Sequence, residues 1–75
     1  MTLREVLAEN LKRHRLATGL SQEELAHRAD IDRTYVSSLE RCQYSATVDM
    51  IEKLARVLGV EAAELLVVPS AASET

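Results

Sequence analysis

Nine consecutive residues hold the strongest chemical signal in this 75-residue chain: Arg33-Thr34-Tyr35-Val36-Ser37-Ser38-Leu39-Glu40-Arg41. Helical spacing puts Val36 and Leu39, with part of Tyr35, on an inner face. Arg33, Thr34, Ser37, Ser38 and Arg41 fall on the other face, which is short, polar and free of acid from Arg33 to Ser38. Such a helix suits the major groove of DNA. There an arginine takes a guanine edge with two hydrogen bonds, and a carboxylate is repelled by the phosphates. A purely solvated helix face is the simpler alternative, and two features argue against it. An arginine at a helix start opposes the macrodipole, at a cost of up to ~1 kcal/mol. Thr34, Ser37 and Ser38 are poor helix formers where Ala, Glu or Lys is the ordinary choice.

The elements around this segment position it. A first helix is expected from about Thr2 to Thr18, with Leu3, Val6, Leu7, Leu11 and His14 as its inner stripe and Gly19 as its stop. Ser21-Gln22-Glu23-Glu24 reads as a capping box that opens a second helix ending near Ala29. Asp30-Ile31-Asp32 makes a three-residue break: Asp30 tolerates a left-handed backbone and Asp32 caps the third helix. Two short helices across such a turn fit a helix-turn-helix. Cys42 to Ala46 form a loop, and Thr47 caps a fourth helix to about Leu58 with Val48, Ile51, Leu54, Ala55 and Leu58 inward. Gly59 stops it, and Glu61 to Val67 read as a short fifth helix. The expectation is one all-α, five-helix domain over residues 1–68 with a flexible tail at 69–75.

Composition narrows the function further. The chain is nearly half apolar yet carries only two aromatic residues, Tyr35 and Tyr44, so its core rests on Leu, Val, Ile and Ala. The seven bases and seven acids of residues 1–45 cancel, whereas residues 46–75 hold the whole net charge of −3. An anionic partner therefore meets the first part. One cysteine, Cys42, gives no disulfide framework and no cysteine-based zinc cluster, and it points to a reducing, cytoplasmic setting. No apolar run approaches the roughly 20 residues of a membrane span, and the first residues lack a signal region. There is no phosphate loop, no metal-ligand cluster and no nucleophile–base motif, so no enzyme, cofactor or small-molecule ligand is expected.

Leu20-Ser21-Gln22-Glu23-Glu24-Leu25-Ala26, Asp32-Arg33-Thr34-Tyr35-Val36-Ser37 and Leu39-Glu40-Arg41 together resemble the Cro and phage-repressor type of helix-turn-helix, the XRE family. The resemblance runs from about Val6 to Leu66. In size, and in the Arg-Thr-Tyr start of the third helix, the chain is most similar to the controller proteins of restriction–modification systems. The resemblance implies that the third helix recognises DNA. Arg33, Thr34 and Ser38 then face base edges, Tyr35 and Ser37 sit at base or backbone, and Gln22 holds a phosphate. Arg41 adds a phosphate anchor, and Gln43 and Tyr44 lie in the loop beside the DNA. Tyr44 either stacks on a sugar or covers the loop. Arg15 and Glu40 match a pair that ties the first helix to the third. Three positions depart from the family pattern: Cys42 replaces a glycine, Tyr44-Ser45-Ala46 replaces a common Arg-Asn-Pro, and His14 replaces an aliphatic residue.

The expected activity is sequence-specific transcription regulation by a homodimer on a palindromic site in double-stranded DNA. Leu58, Val60, Leu65, Leu66 and Val67 are the expected dimer residues, being too apolar for a free surface. The rival expectation is a protein-interaction module or antitoxin-like partner that keeps the fold without reading DNA; the net acidity favours it and the Arg-led face opposes it.

Overall fold

A computed structural model describes residues 1–69 of the chain. Four α-helices follow one another: α1 (Leu3–Ala17), α2 (Gln22–Ala29), α3 (Arg33–Glu40) and α4 (Val48–Leu58). A 3-10 helix, Ala62–Leu66, comes after them, and there is no strand among the described residues. The expected tail, apart from Pro69, lies outside the described residues.

Every α-helix starts on a side-chain cap, because the first-turn N–H groups have no partner within the helix. Thr2 and Glu5 form a reciprocal capping box, with Glu5 N–H donating to Thr2 Oγ1 at 3.2 Å and Thr2 N–H to Glu5 Oε1 at 2.7 Å. Ser21 and Glu24 repeat it at 3.0 Å each way. Asp32 Oδ1 accepts from Thr34 N–H at 2.7 Å, and Thr47 Oγ1 from Met50 N–H at 3.1 Å.

The four helices also stop in one way. A left-handed residue follows each, namely Gly19 (φ 76°), Asp30 (φ 57°), Cys42 (φ 60°) and Gly59 (φ 73°). The next N–H then reaches back over the last turn: Leu20 to Arg15 O, Ile31 to Ala26 O, Gln43 to Ser38 O and Val60 to Ala55 O, at 2.8–3.2 Å. Cys42 thus makes the turn that glycine makes elsewhere, with the Cβ crowding that glycine avoids.

The core joins Leu7 and Leu11 of α1 to Leu20, Leu25, Ala26, Ala29, Val36, Leu39, Leu54, Ala55, Leu58 and Leu65. Small Ala26 and Ala29 let α2 sit closely on α3, which fixes the angle at which α3 is presented.

Three sequence expectations change here. The fifth helix is a single five-residue 3-10 segment whose N-cap, Glu61, makes no side-chain cap bond. Its end is held from outside, because buried Asn10 of α1 donates to Leu65 O at 3.0 Å and to Val67 O at 2.7 Å. Leu3 and Val48, expected inward, are 60% and 81% exposed. Each lies in the first turn of its helix, at the edge of the described structure rather than over its core. His14 is half-buried rather than part of the core.

Candidate nucleic-acid interface

On α3, successive residues turn by about 100°. Arg33, Ser37, Arg41 and Thr34 therefore lie within an arc of about 100°, opposite Val36 and Leu39. Arg33, Thr34 and Arg41 are exposed and Ser37 is half-buried. The Asp32 carboxyl, accepting the Thr34 N–H and lying beside Arg33, is held below the ordinary carboxylate range, so the cap stays ionised.

Ser38 does not belong to this face. It is only 5% exposed, on the flank where the α3–α4 loop folds back and Gln43 N–H meets Ser38 O at 2.8 Å. Its expected contact with a base edge is therefore withdrawn. A polar residue at the margin of a helical stripe looks outward by spacing alone; the returning loop covers it. Tyr35 lies on the same flank, half-buried, its ring centroid 6.1 Å from that of Tyr44 at a tilt of 47°. The two rings support each other, and Tyr44 and Gln43 remain exposed at the loop edge.

At the end of α3 lies a buried polar knot. Arg15 Nε donates to Glu40 Oε2 at 2.6 Å and Nη2 to Oε1 at 3.0 Å, while Nη1 donates to Leu20 O at 2.9 Å. Both side chains are buried, and the Glu40 carboxylate raises the Arg15 pKa above its ordinary value. A third donor joins them: Gln22 Nε2, from the first residue of α2, reaches Glu40 Oε1 at 3.0 Å. The sequence pattern pointed to Arg15 with Glu40 and to Gln22 separately. Asn10, which no sequence pattern singled out, was detectable only as an amide three residues after Leu7 on an otherwise apolar stripe.

The expected dimer residues separate into two groups. Leu65 is fully buried and Leu58 nearly so, inside the protomer's own core, which removes both from a contact surface. Val60 and Leu66 are half-buried and Val67 is exposed. Leu66 also lines an open, mainly apolar groove of about 610 Å³ formed with Leu3, Leu7, Ala46, Val48 and Ile51.

The helix-turn-helix family (HTH_3) profile matches residues 11–65. The chain is 49% identical over 67 residues to a hypothetical transcription factor of Neisseria meningitidis serogroup B, covering 89% of this chain and 63% of that protein. It therefore spans less than two thirds of that relative's length. The crystal structure of a hypothetical transcription factor from Neisseria superposes with a TM-score of 0.93 at 45% identity, over 97% of this chain and 84% of that one. Control protein C.SmaI of Serratia marcescens is 38% identical over 66 residues, 88% of this chain and 79% of that protein. The restriction–modification controller C.Esp1396I, solved as a tetramer with its natural 35 base-pair operator, superposes with a TM-score of 0.79 at 31% identity, over 87% of this chain and 86% of that one.

Proposed function

This chain belongs to the helix-turn-helix family, and we propose that it is a transcription regulator binding double-stranded DNA as a homodimer, of the kind that controls a restriction–modification operon. The observation that carries the proposal is the outer face of α3: an arc of exposed Arg33, Thr34 and Arg41 with half-buried Ser37 among them, on a helix whose other side is locked into the core. In this reading α3 enters the major groove. Arg33 and Thr34 read base edges, and Ser37, Arg41 and Gln22 engage the backbone. Tyr35, Gln43 and Tyr44 form the adjoining edge. The role is non-catalytic and is exercised in the cytoplasm, where a bacterial operator lies.

A two-fold dimer matches a palindromic site. Its face in this reading is the apolar groove of Leu3, Val48, Ile51 and Leu66, with Val67 beside it. Leu3, Val48 and Val67 are exposed there, and Ile51 and Leu66 are only partly covered by the described residues.

A gel shift with the DNA immediately upstream of the protein's own gene tests the proposal. A retarded band that survives excess unrelated duplex supports it. No band with that DNA, or with any duplex selected from a random pool, passes the fold to the protein-interaction reading.

A further inference from the structure

We infer that Glu40 is a positioning residue for DNA binding: its carboxylate, neutralised by Arg15, fixes the Gln22 amide at the start of α2 for contact with a backbone phosphate. The inference rests on the DNA-binding reading above and adds a dependence of one contact on a residue that itself stays buried.

The geometry is specific. The Glu40 carboxylate receives Arg15 from α1 and Gln22 from α2, while Glu40 itself ends α3, so one side chain joins three helices. Oε1 accepts from both Arg15 Nη2 and Gln22 Nε2, each at 3.0 Å. The Gln22 amide has two N–H donors, and this bond uses one. The other is left for a phosphate at a helix start, where the macrodipole favours an anion although the Ser21–Glu24 capping box already occupies part of the first turn. A bare carboxylate in this position would repel a phosphate. The two hydrogen bonds from the buried Arg15 guanidinium remove that repulsion while leaving Oε1 able to orient the amide. A glutamine without this tether must be ordered when DNA arrives, and that ordering lowers affinity. A purely structural ion pair between α1 and α3 accounts for Arg15 and Glu40 but not for the third donor.

The test is a double-mutant cycle. Affinity is measured by fluorescence anisotropy on a duplex selected from a random pool by the unmutated protein, at a temperature where circular dichroism shows every variant folded. Gln22→Ala is expected to weaken binding about tenfold, as for one lost hydrogen bond, equally on all sequences. Glu40→Ala is expected to weaken binding comparably when Gln22 is present and by less than about twofold when it is absent, while lowering the melting temperature in both backgrounds. Glu40→Gln keeps an oxygen that accepts from Gln22. It is expected to hold affinity within about threefold despite a lower melting temperature. Where Glu40→Ala does not fold, Arg15→Met with Glu40→Met replaces the pair by apolar side chains of similar volume, and the same dependence on Gln22 is expected. An equal loss with and without Gln22, or no loss in either, overturns the inference while leaving the DNA-binding reading intact. A failure of the unmutated protein to select any duplex overturns both.

Discussion

The outer face of α3 and the groove at the starts of α1 and α4 are both exposed, and they are built in opposite ways. The first is an arc of Arg33, Thr34, Ser37 and Arg41 that water solvates without penalty. The second gathers Leu3, Val48, Ile51 and Leu66, and water does not solvate it well. The polar arc lies outside the core, and the groove meets it only through the partly buried Ile51 and Leu66. The polar face is costly as helix, since Thr and Ser are poor formers and Arg33 opposes the dipole; the apolar one is costly as surface. In this account DNA offsets the first cost and a second copy of the chain offsets the second.

The largest effect is expected where the core ends and the apolar surface begins. Leu65→Ala should cost about 2–5 kcal/mol, enough to unfold most of a domain this small, because it empties a fully buried site. Thermal melting followed by circular dichroism reads this out. A variant that melts normally and merely dissociates would return Leu65 to the interface.

Val48→Asp comes next and tests the groove itself. Val48 is 81% exposed, so the protomer should keep its melting curve. Two-fold symmetry brings two new charges into one contact, raising the dimer dissociation constant on the order of a hundredfold. Sedimentation at micromolar concentration measures it, and an unchanged dimer mass moves the interface elsewhere.

Cys42→Gly should act in the other direction. With φ at 60°, Cys42 carries a left-handed penalty of about 1 kcal/mol that glycine avoids. The melting temperature should rise by about 4–8 °C, with DNA affinity unchanged. A fall in melting temperature would show that packing by the half-buried Cys42 side chain outweighs the crowding.

These positions also mark what the sequence discloses. The caps at Ser21, Asp32 and Thr47 are legible because they depend on neighbours two or three residues away. The left-handed stop at Asp30 is legible for the same reason. The α3 face is legible at Arg33, Thr34, Ser37 and Arg41, since one helix settles it. Ser38 is not, because the covering loop comes from beyond the helix. Leu3, Val48 and Leu65 are misassigned for a related reason, and Leu58, read both as inward and as a dimer residue, is only the former. Periodicity identifies an apolar side chain but not whether its own protomer supplies the cover. Nor does spacing reveal that Asn10 holds the Leu65 and Val67 carbonyls at and just beyond the end of the 3-10 helix, 55 and 57 residues away in the chain.

The smallest effect concerns acid. The carboxyls of Glu5, Glu24 and Asp32 are held low, mainly by hydrogen bonds from Thr2, Ser21 and Thr34. Their contribution is complete above the ordinary carboxylate range and is lost as pH falls through their lowered values. Denaturant midpoints should therefore drop in that acid window. Replacing Asp32 by Asn, which caps without ionising, should flatten its share of the drop.

The central claim is that α3 reads sequence, and Arg33 tests it most directly. Affinity is measured for Arg33→Ala and Arg41→Ala across single-base variants of the operator at two or more salt concentrations. Arg33→Ala should cost about 1–3 kcal/mol for each base contact and relax preference at one base pair in each half-site. Its slope of log affinity against log salt should barely change, since that slope counts neutralised phosphates. Arg41→Ala should weaken binding to every variant alike and make the slope shallower. A uniform loss for Arg33→Ala, with every base preference intact and a shallower slope, would contradict the account.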